Sequence, residues 1–545
     1  MRIRMLATAA IALSFSAAAL AVPPVPEGPD FTAERFKSHV TFLADDLLEG
    51  RDTGSRGYEI AANYVATQFE GLGLKAAGPQ GSWYQQVPFM RFALGDTPGT
   101  VRVGGQSFTH GQQILLSPRP QQGALSVEAP VVFVGYGLSA PQIGVDDYKG
   151  LNVKGKIVVA LGGFPKGMAS DIGAHLNSEK RRVASDKGAI GMITLRTRAE
   201  AERRPWARAV EGAGEPVMSW TDASGGAYQP APNLQFRATF DTPAAEALFA
   251  GASRSLAQVL DEAAREGGKP RGFALKQKVA VEQGQGPSSR VSSPNVVAML
   301  PGSDPALAGE YVLLMAHLDH VGVKPEGEGD TIYNGAMDNA TGIATMLEVA
   351  RAMATGPNRP KRSILFAAVT GEEKGLQGAQ YLARNPLPGT NVVGVVNLDM
   401  PVLLYDFTDV IAFGAEHSTM GPAVAAAGAR MGVALTPDPL PQEGLFTRSD
   451  HYRFVQEGIP AVFLMTGFAG EGREKFEGFL ATNYHKVSDD LKQPINWQAG
   501  AKFARINYEI ATEIANAPQA PRWYSDSFFG KTLAPKEEKA TKTGK

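Results

Sequence analysis

The chain has 545 residues, 43% of them hydrophobic, with a formal net charge of −2 and no cysteine. That length predicts at least two domains, and the charge gives no footing for a nucleic-acid partner. Without cysteine there is neither a disulfide framework nor a thiol nucleophile, so any metal must be held by imidazoles and carboxylates.

The opening stretch MRIRMLATAAIALSFSAAALA places two arginines before an apolar run and a small-residue site. This predicts a cleaved secretory signal over 1–21, a mature start at Val22 and an exported product, periplasmic or secreted. The run of about 16 apolar residues is short for a spanning helix, and no membrane span is predicted in the mature chain. Loss of Arg2 and Arg4 moves the formal charge from −2 to −4.

Residues 30 to 75 read as helical. FKSHVTFLADDLLEG stops at Gly50 and YEIAANYVATQFEGLGL at Gly71, each with apolar residues at three and four spacing around the charged loop RDTGSRG. From about residue 88 to 285 the texture changes to short β-prone runs, among them APVVFVGYGL, KGKIVVAL, AIGMITL and FRATF, with a helix around LNSEKRRVASDKG. EQGQGPSSRVSS, 282–293, is expected to be the linker that leaves this β-rich unit.

An α/β rhythm follows. Strands are predicted at 311–317, 363–370, 392–400, 409–415 and 461–467, with helices at 340–354, 376–385 and 420–431. Apolar strands separated by helices predict a mostly parallel central sheet covered on both faces. Beyond Pro521 the polar tail is expected to fray.

In parallel α/β sheets ligands sit outside the carboxyl ends of the strands, and chemistry-bearing residues gather there in this sequence. His317 and Asp319 end the first strand, Glu372 and Glu373 follow the second in TGEEKG, and Asp399 closes the third. Tyr484 and His485 lie in NYHKVSDD after the last, and Asp338 stands in NGAMDNATG before a buried helix. Alone, Asp338 reads as a helix cap and the two glutamates as a solvated pair. Together, so many carboxylates repel one another unless cations neutralise them.

A pair of divalent ions does this, and carboxylates with neutral imidazoles suit zinc, cobalt or manganese. Asp338 is the candidate bridge, helped by close backbone approach at Gly335. One of Glu372 and Glu373 is expected to bind metal and the other to act as general base, the residues leaving open which does which. Tyr484 is a candidate oxyanion donor. Asp319 is expected to accept from the free ring nitrogen of His317. In RSDHYRF, Asp450 and His451 are expected behind the ligands or facing substrate, His320 is a weaker candidate, and His417 reads as a loop residue. Leu445, Phe446 and Phe468 are candidates for an apolar pocket. The acidic segment VGVKPEGEGDTIYNG is expected to form a rim over the site.

AHLDHVG (316–322), NGAMDNATG (334–342), TGEEKG (370–375), NLDM (397–400), RSDHYRF (448–454) and NYHKVSD (483–489) together resemble the co-catalytic di-zinc aminopeptidases of peptidase family M28. VVFVGYGL and DDYKGLNVKGKIVVAL resemble the protease-associated domain that some members carry as an insertion. The resemblance implies a zinc-exopeptidase fold of the phosphorylase/hydrolase-like kind. It divides the chain into a signal (1–21), an N-terminal part of the peptidase domain (22–114), the inserted domain (115–285), the catalytic domain (286–520) and a tail (521–545).

It also implies two zinc ions per chain, with cobalt or manganese as possible substitutes. His317 and Asp399 would share one ion, Glu373 and His485 the other, with Asp338 bridging, Glu372 as general base and Tyr484 as donor. The implied activity is removal of N-terminal residues from peptides. A carboxypeptidase or dipeptidase on the same centre, a zinc glutaminyl-cyclase-like enzyme and a non-catalytic receptor-like protein are the alternatives. Oligomeric state is left open.

Overall fold

The computed structural model describes residues 29–121, 123–324 and 329–542. The expected signal at 1–21 and the middle of the acidic rim segment, 325–328, lie outside the described residues. No helix among the described residues is long and apolar enough to cross a membrane.

A ten-stranded sheet carries the α/β part. At its centre four strands run parallel, in the order Ser363–Val369, Glu310–His317, Asn391–Leu398 and Ala461–Thr466. Their inner residues are wholly buried, which is why they read as continuous apolar runs. The sheet as a whole is mixed, correcting the mostly parallel expectation. Ser288–Leu300 and Tyr84–Phe92 add on one side in antiparallel fashion, and Asp409–Phe413 runs antiparallel to Ala461–Thr466 on the other. A buried strand's apolar run carries no direction; its connections set that.

Helices Ala33–Leu43, Thr341–Thr355 and Trp497–Asn516 pack against one another, and Gln377–Arg384 packs with His451–Gln456. The expected linker is mostly strand: Ser288–Ser293 pair with Val87–Phe92, their exposed polar residues lying on the outer part of the ladder.

A second, eight-stranded sheet is built between Thr100 and Gln283. Thr100–Val103, Gln106–Thr109 and Ile114–Leu116 belong to it, in keeping with the β-prone texture from about residue 88, whereas the division implied by the resemblance leaves residues up to 114 with the peptidase lead-in. Val101 and Val103 are buried against Phe273–Gln283, and that pairing decides their membership. The helix Ser170–Asp186 joins this unit to the first. His175 Nδ1 lies 2.7 Å from the Tyr452 hydroxyl, and Asp171 pairs with His417 at 2.6 Å.

The tail does not fray after Pro521. Trp523 is 2% exposed and Phe529 0%, and Phe528–Leu533 is helical. Rings of Phe528 and Phe529 stand 5.7 and 5.6 Å from His175, so aromatic side chains in a polar segment are buried between the two units.

Candidate active site

The carboxyl ends of the four parallel strands open on one edge. His317 is the last residue of its strand and only 1% exposed. Asp399 follows Leu398, while Glu372 and Glu373 lie in the turn after Ser363–Val369.

Asp338 joins them by a local device. Its own N–H and that of Met337 donate to the two carboxylate oxygens of Asp489, at 3.0 and 2.9 Å. The capping task belongs to Asn339, whose Oδ1 accepts from the N–H groups of Gly342 (3.0 Å) and Met400 (3.1 Å). Gly335, at φ 60°, leaves room: a Cβ there would stand 2.2 Å from the Asp338 carbonyl oxygen. The Asp338 carboxylate is therefore free to face the strand ends.

It divides its two oxygens. Oδ1 lies 3.2 Å from His317 Nε2 and Oδ2 lies 3.2 Å from His485 Nε2. Asp399 Oδ1 is 3.2 Å from the same nitrogen of His317, and Glu373 Oε2 is 3.2 Å from that of His485. His485 reaches in from the last loop with a left-handed backbone, φ 53°, and the ring of Tyr484 stacks on it with centroids 4.0 Å apart.

These separations fit metal. Ligand atoms each 2.0–2.1 Å from a tetrahedral ion stand about 3.3 Å apart, close to the 3.2 Å that separates His317 and His485 from their acids. The ligand atoms of His317, Asp338 and Asp399 all lie within 4.8 Å of one another, as do those of His320, Asp338 and Glu373. Electrostatics agrees. Burial disfavours charge on His317, yet Asp399 and Asp338 hold its pKa well above the ordinary value. His485 is pushed up to about 10 by Asp338 and Glu373 against the same penalty. Glu373 is held down at about 2, burial and Asp338 being outweighed by His320 and His485. The carboxylates that favour charge on each imidazole are the same atoms a divalent ion would take.

Glu372 lines the cavity beside these groups. Burial, reinforced by Glu373, Asp450 and Asp399 and opposed by His317, raises its pKa well above the carboxylate range. Met400, Leu445, Phe463, Met465, Phe476 and Leu480 make much of the remaining wall. Of the apolar candidates, Leu445 lines this cavity and Phe446 and Phe468 do not.

His317 Nδ1 meets Asp319 as expected, but at its backbone carbonyl, 3.0 Å away, and not at its carboxylate. That carboxylate instead accepts from the N–H groups of Glu372 (3.1 Å) and Glu373 (3.3 Å), because the TGEEKG turn brings its amides over the first strand's end. Asp450 and His451 are fully buried and do not line the cavity, which removes the substrate-facing alternative and leaves the one behind the ligands; burial pushes Asp450 up to about 8. Ser449 makes the contact from that segment, donating to Asp399 Oδ2 at 2.5 Å and accepting from Asn397 Nδ2 at 2.7 Å.

His320, the weaker candidate, has its Nδ1 2.8 Å from Glu373 Oε1. Further residues escaped the sequence reading. Asp489 holds Asp338, and Arg51 donates to the carbonyls of Leu318, Asn334 and Gly335. The carboxylate-rich NYHKVSDD motif is a signal that could have found Asp489. The expected rim pairs as a small hairpin, Gly322–Val323 with Ile332–Tyr333, against Asp46–Arg51.

Residues 295–511 match the model of peptidase family M28. This segment is an M28 peptidase domain. Among curated proteins, a probable zinc metalloprotease of Pyrenophora teres f. teres (strain 0-1) is 40% identical over 112 residues, 20% of this chain and 23% of that protein. One from Pyrenophora tritici-repentis (strain Pt-1C-BFP) is 27% identical over 284 residues, 44% of this chain and 56% of that protein. The chain thus spans about a quarter to a half of the length of these relatives. An aminopeptidase from Aneurinibacillus sp. strain AM-1 aligns over 90% of this chain and 95% of its own, with a TM-score of 0.51 and 20% identity, a likeness of fold. The M28 segment contains every strand-end residue described above.

Proposed function

We propose that the chain is an exported zinc aminopeptidase that removes N-terminal residues from peptides. The observation that supports it most is the divided Asp338 carboxylate, one oxygen toward His317 and Asp399 and the other toward His485 and Glu373.

His317, Asp399 and Asp338 would hold one ion, and Asp338, Glu373 and His485 the other. When bound, the two ions supply positive charge that acidifies water and polarises a carbonyl. Glu372 takes the proton of the attacking water on its carboxylate and delivers it to the departing amine. The Tyr484 hydroxyl donates to the oxygen that gains charge. Asp319 positions both glutamates by their amides, and Ser449 orients Asp399. The apolar wall around Leu445 takes the side chain of the first residue. The eight-stranded unit is an inserted protease-associated domain that limits access to the cleft.

Peptides blocked at one end and then at the other test this directly. Cleavage must stop with an acetylated N-terminus and continue with an amidated C-terminus. The opposite result makes the enzyme a carboxypeptidase, and conversion of an N-terminal glutamine to pyroglutamate on the intact peptide, with ammonia released and no amino acid freed, makes it a cyclase.

A further inference from the structure

A deep cleft separates the helix Ser170–Asp186 and the strand Phe236–Phe240 of the second unit from the helices Gln377–Arg384 and His451–Gln456 of the first. It shares no lining residue with the cavity at His317 and Asp338. Its wall is strongly cationic in a chain whose net charge is only −2.

Some of these cations are already satisfied. Arg182 pairs with Glu179 and Asp186, Arg384 with Glu457 at 3.0 Å, and Lys374 with Asp52 at 2.6 Å. Arg453 donates to Gln456 Oε1 and to the Gly375 carbonyl, both at 3.0 Å. Arg181 and Arg237 are different, because neither guanidinium has a hydrogen bond or ion pair among the described residues. Glu179, the acid in the wall, is occupied by Arg182 and by Gln456 Nε2 at 3.0 Å.

The two charges also feel each other. Burial, and then the charge of Arg181, push Arg237 down to about 10. Arg453 is lowered as well, by burial first, with the charge of Arg181 adding to the shift and Tyr452, Asp450 and Glu179 opposing it. Glu179 offsets part of the charge on Arg181 and Arg453, but one acid among several cations leaves the wall net positive, and a concave cationic wall focuses a field that draws anions.

We propose that this cleft binds a small multivalent oxyanion of the phosphate type, held between Arg181 and Arg237 with Arg453 close by. Guanidinium forks match such an anion bidentately, and its charge removes the repulsion. Since Arg181 and Arg237 belong to one unit and Arg453 to the other, the anion also ties the two units together.

Calorimetric titration of inorganic phosphate into the zinc-supplemented full chain tests this, with chloride at matched ionic strength as control. The expected result is one saturable site per chain, weakened at least tenfold by R181Q and by R237Q, less by R237K, and unchanged by E372Q. Without phosphate, R181Q and R237Q should melt at or above the wild-type temperature, because each relieves repulsion. Absence of saturable heat overturns the proposal. So does binding that survives both arginine substitutions and vanishes on zinc removal, which would place phosphate at the metal centre. A clear fall in melting temperature of both variants without phosphate also overturns it, since the arginines would then be holding structure.

Discussion

The carboxylate of Asp319 accepts a hydrogen bond from the backbone N–H of Glu372 at 3.1 Å. The same side chain accepts from Glu373 at 3.3 Å and from the Thr53 hydroxyl at 3.0 Å, so one buried acid holds the turn that carries both glutamates. Its role is to place Glu372, which general acid–base transfer requires to within hydrogen-bond reach of the attacking water. D319N keeps the shape but replaces an accepting oxygen by an amide that cannot accept. The expected outcome is a fall in kcat of roughly 10- to 100-fold, the range typical of outer-shell losses, with KM nearly unchanged. Steady-state kinetics on a leucine peptide checks it.

Glu372 itself is expected to be dispensable for metal and indispensable for turnover. E372Q retains the hydrogen-bonding shape without the basic oxygen, and loss of general-base catalysis costs roughly 100- to 10,000-fold. Metal content by elemental analysis should stay at two ions per chain. H485A should lose metal as well as activity, and chelation of the wild type should abolish hydrolysis until zinc is restored.

These predictions rest on residues whose place was legible before the fold was known. His317, Glu372, Glu373 and Asp399 each follow an apolar run, and a buried strand of that length delivers the next polar residue to the sheet edge. What the runs could not show is direction, so the sheet is mixed where a parallel one was expected. Asp489, Ser449 and the carbonyl of Asp319 were hidden for another reason. They act on backbone amides or on another ligand's far oxygen, and such contacts leave no mark in residue spacing. The buried tail escaped because Phe529 packs on His175, His417 and Phe446 and Trp523 donates to the Gly458 carbonyl, all far away in sequence.

The cavity wall predicts selectivity. Met400, Leu445, Phe463 and Met465 present apolar surface beside Glu372, and burying a leucine-sized side chain is worth roughly 1.5–3 kcal/mol. L445D places a charge in that wall. Hydrolysis of leucine-terminated peptides should fall roughly tenfold or more in kcat/KM, while alanine-terminated ones change less. Paired substrates in one assay give the ratio.

Arg51 is predicted to be a stability residue. It is 1% exposed, with Nε on the Leu318 carbonyl at 2.9 Å, Nη1 on Asn334 at 2.6 Å and on Leu43, and Nη2 on Gly335 at 3.0 Å. It ties the first strand's end to the turn that leads into Asp338. Burial lowers its pKa to about 10 even though Asp489, Asp319 and Asp338 favour the charge. R51M strands these carbonyls and leaves the surrounding acids without a cation, a loss of about 3–5 kcal/mol. Lysine cannot supply the fork, so R51K should recover little of it. Thermal or denaturant unfolding of the two variants measures this.

Lys180 gives stability a pH dependence of definite sign. Its ammonium donates to the carbonyls of Leu161 and Gly163 while buried, and burial lowers its pKa to about 7, with Glu200 and Asp147 opposing. In the unfolded chain the same group titrates near 10.4. Between about pH 7 and 10 the unfolded state therefore binds the proton that the folded state has released, and folding stability rises with pH. Below about pH 7 both states are protonated and the penalty is at its full size, about 5 kcal/mol at most. K180M removes the titrating group and leaves the other ionisable side chains in place. The stability of wild type relative to K180M should therefore grow from pH 7 to pH 10. Melting curves of both proteins across that interval decide it: a constant difference would mean that Lys180 keeps an ordinary pKa in its buried position.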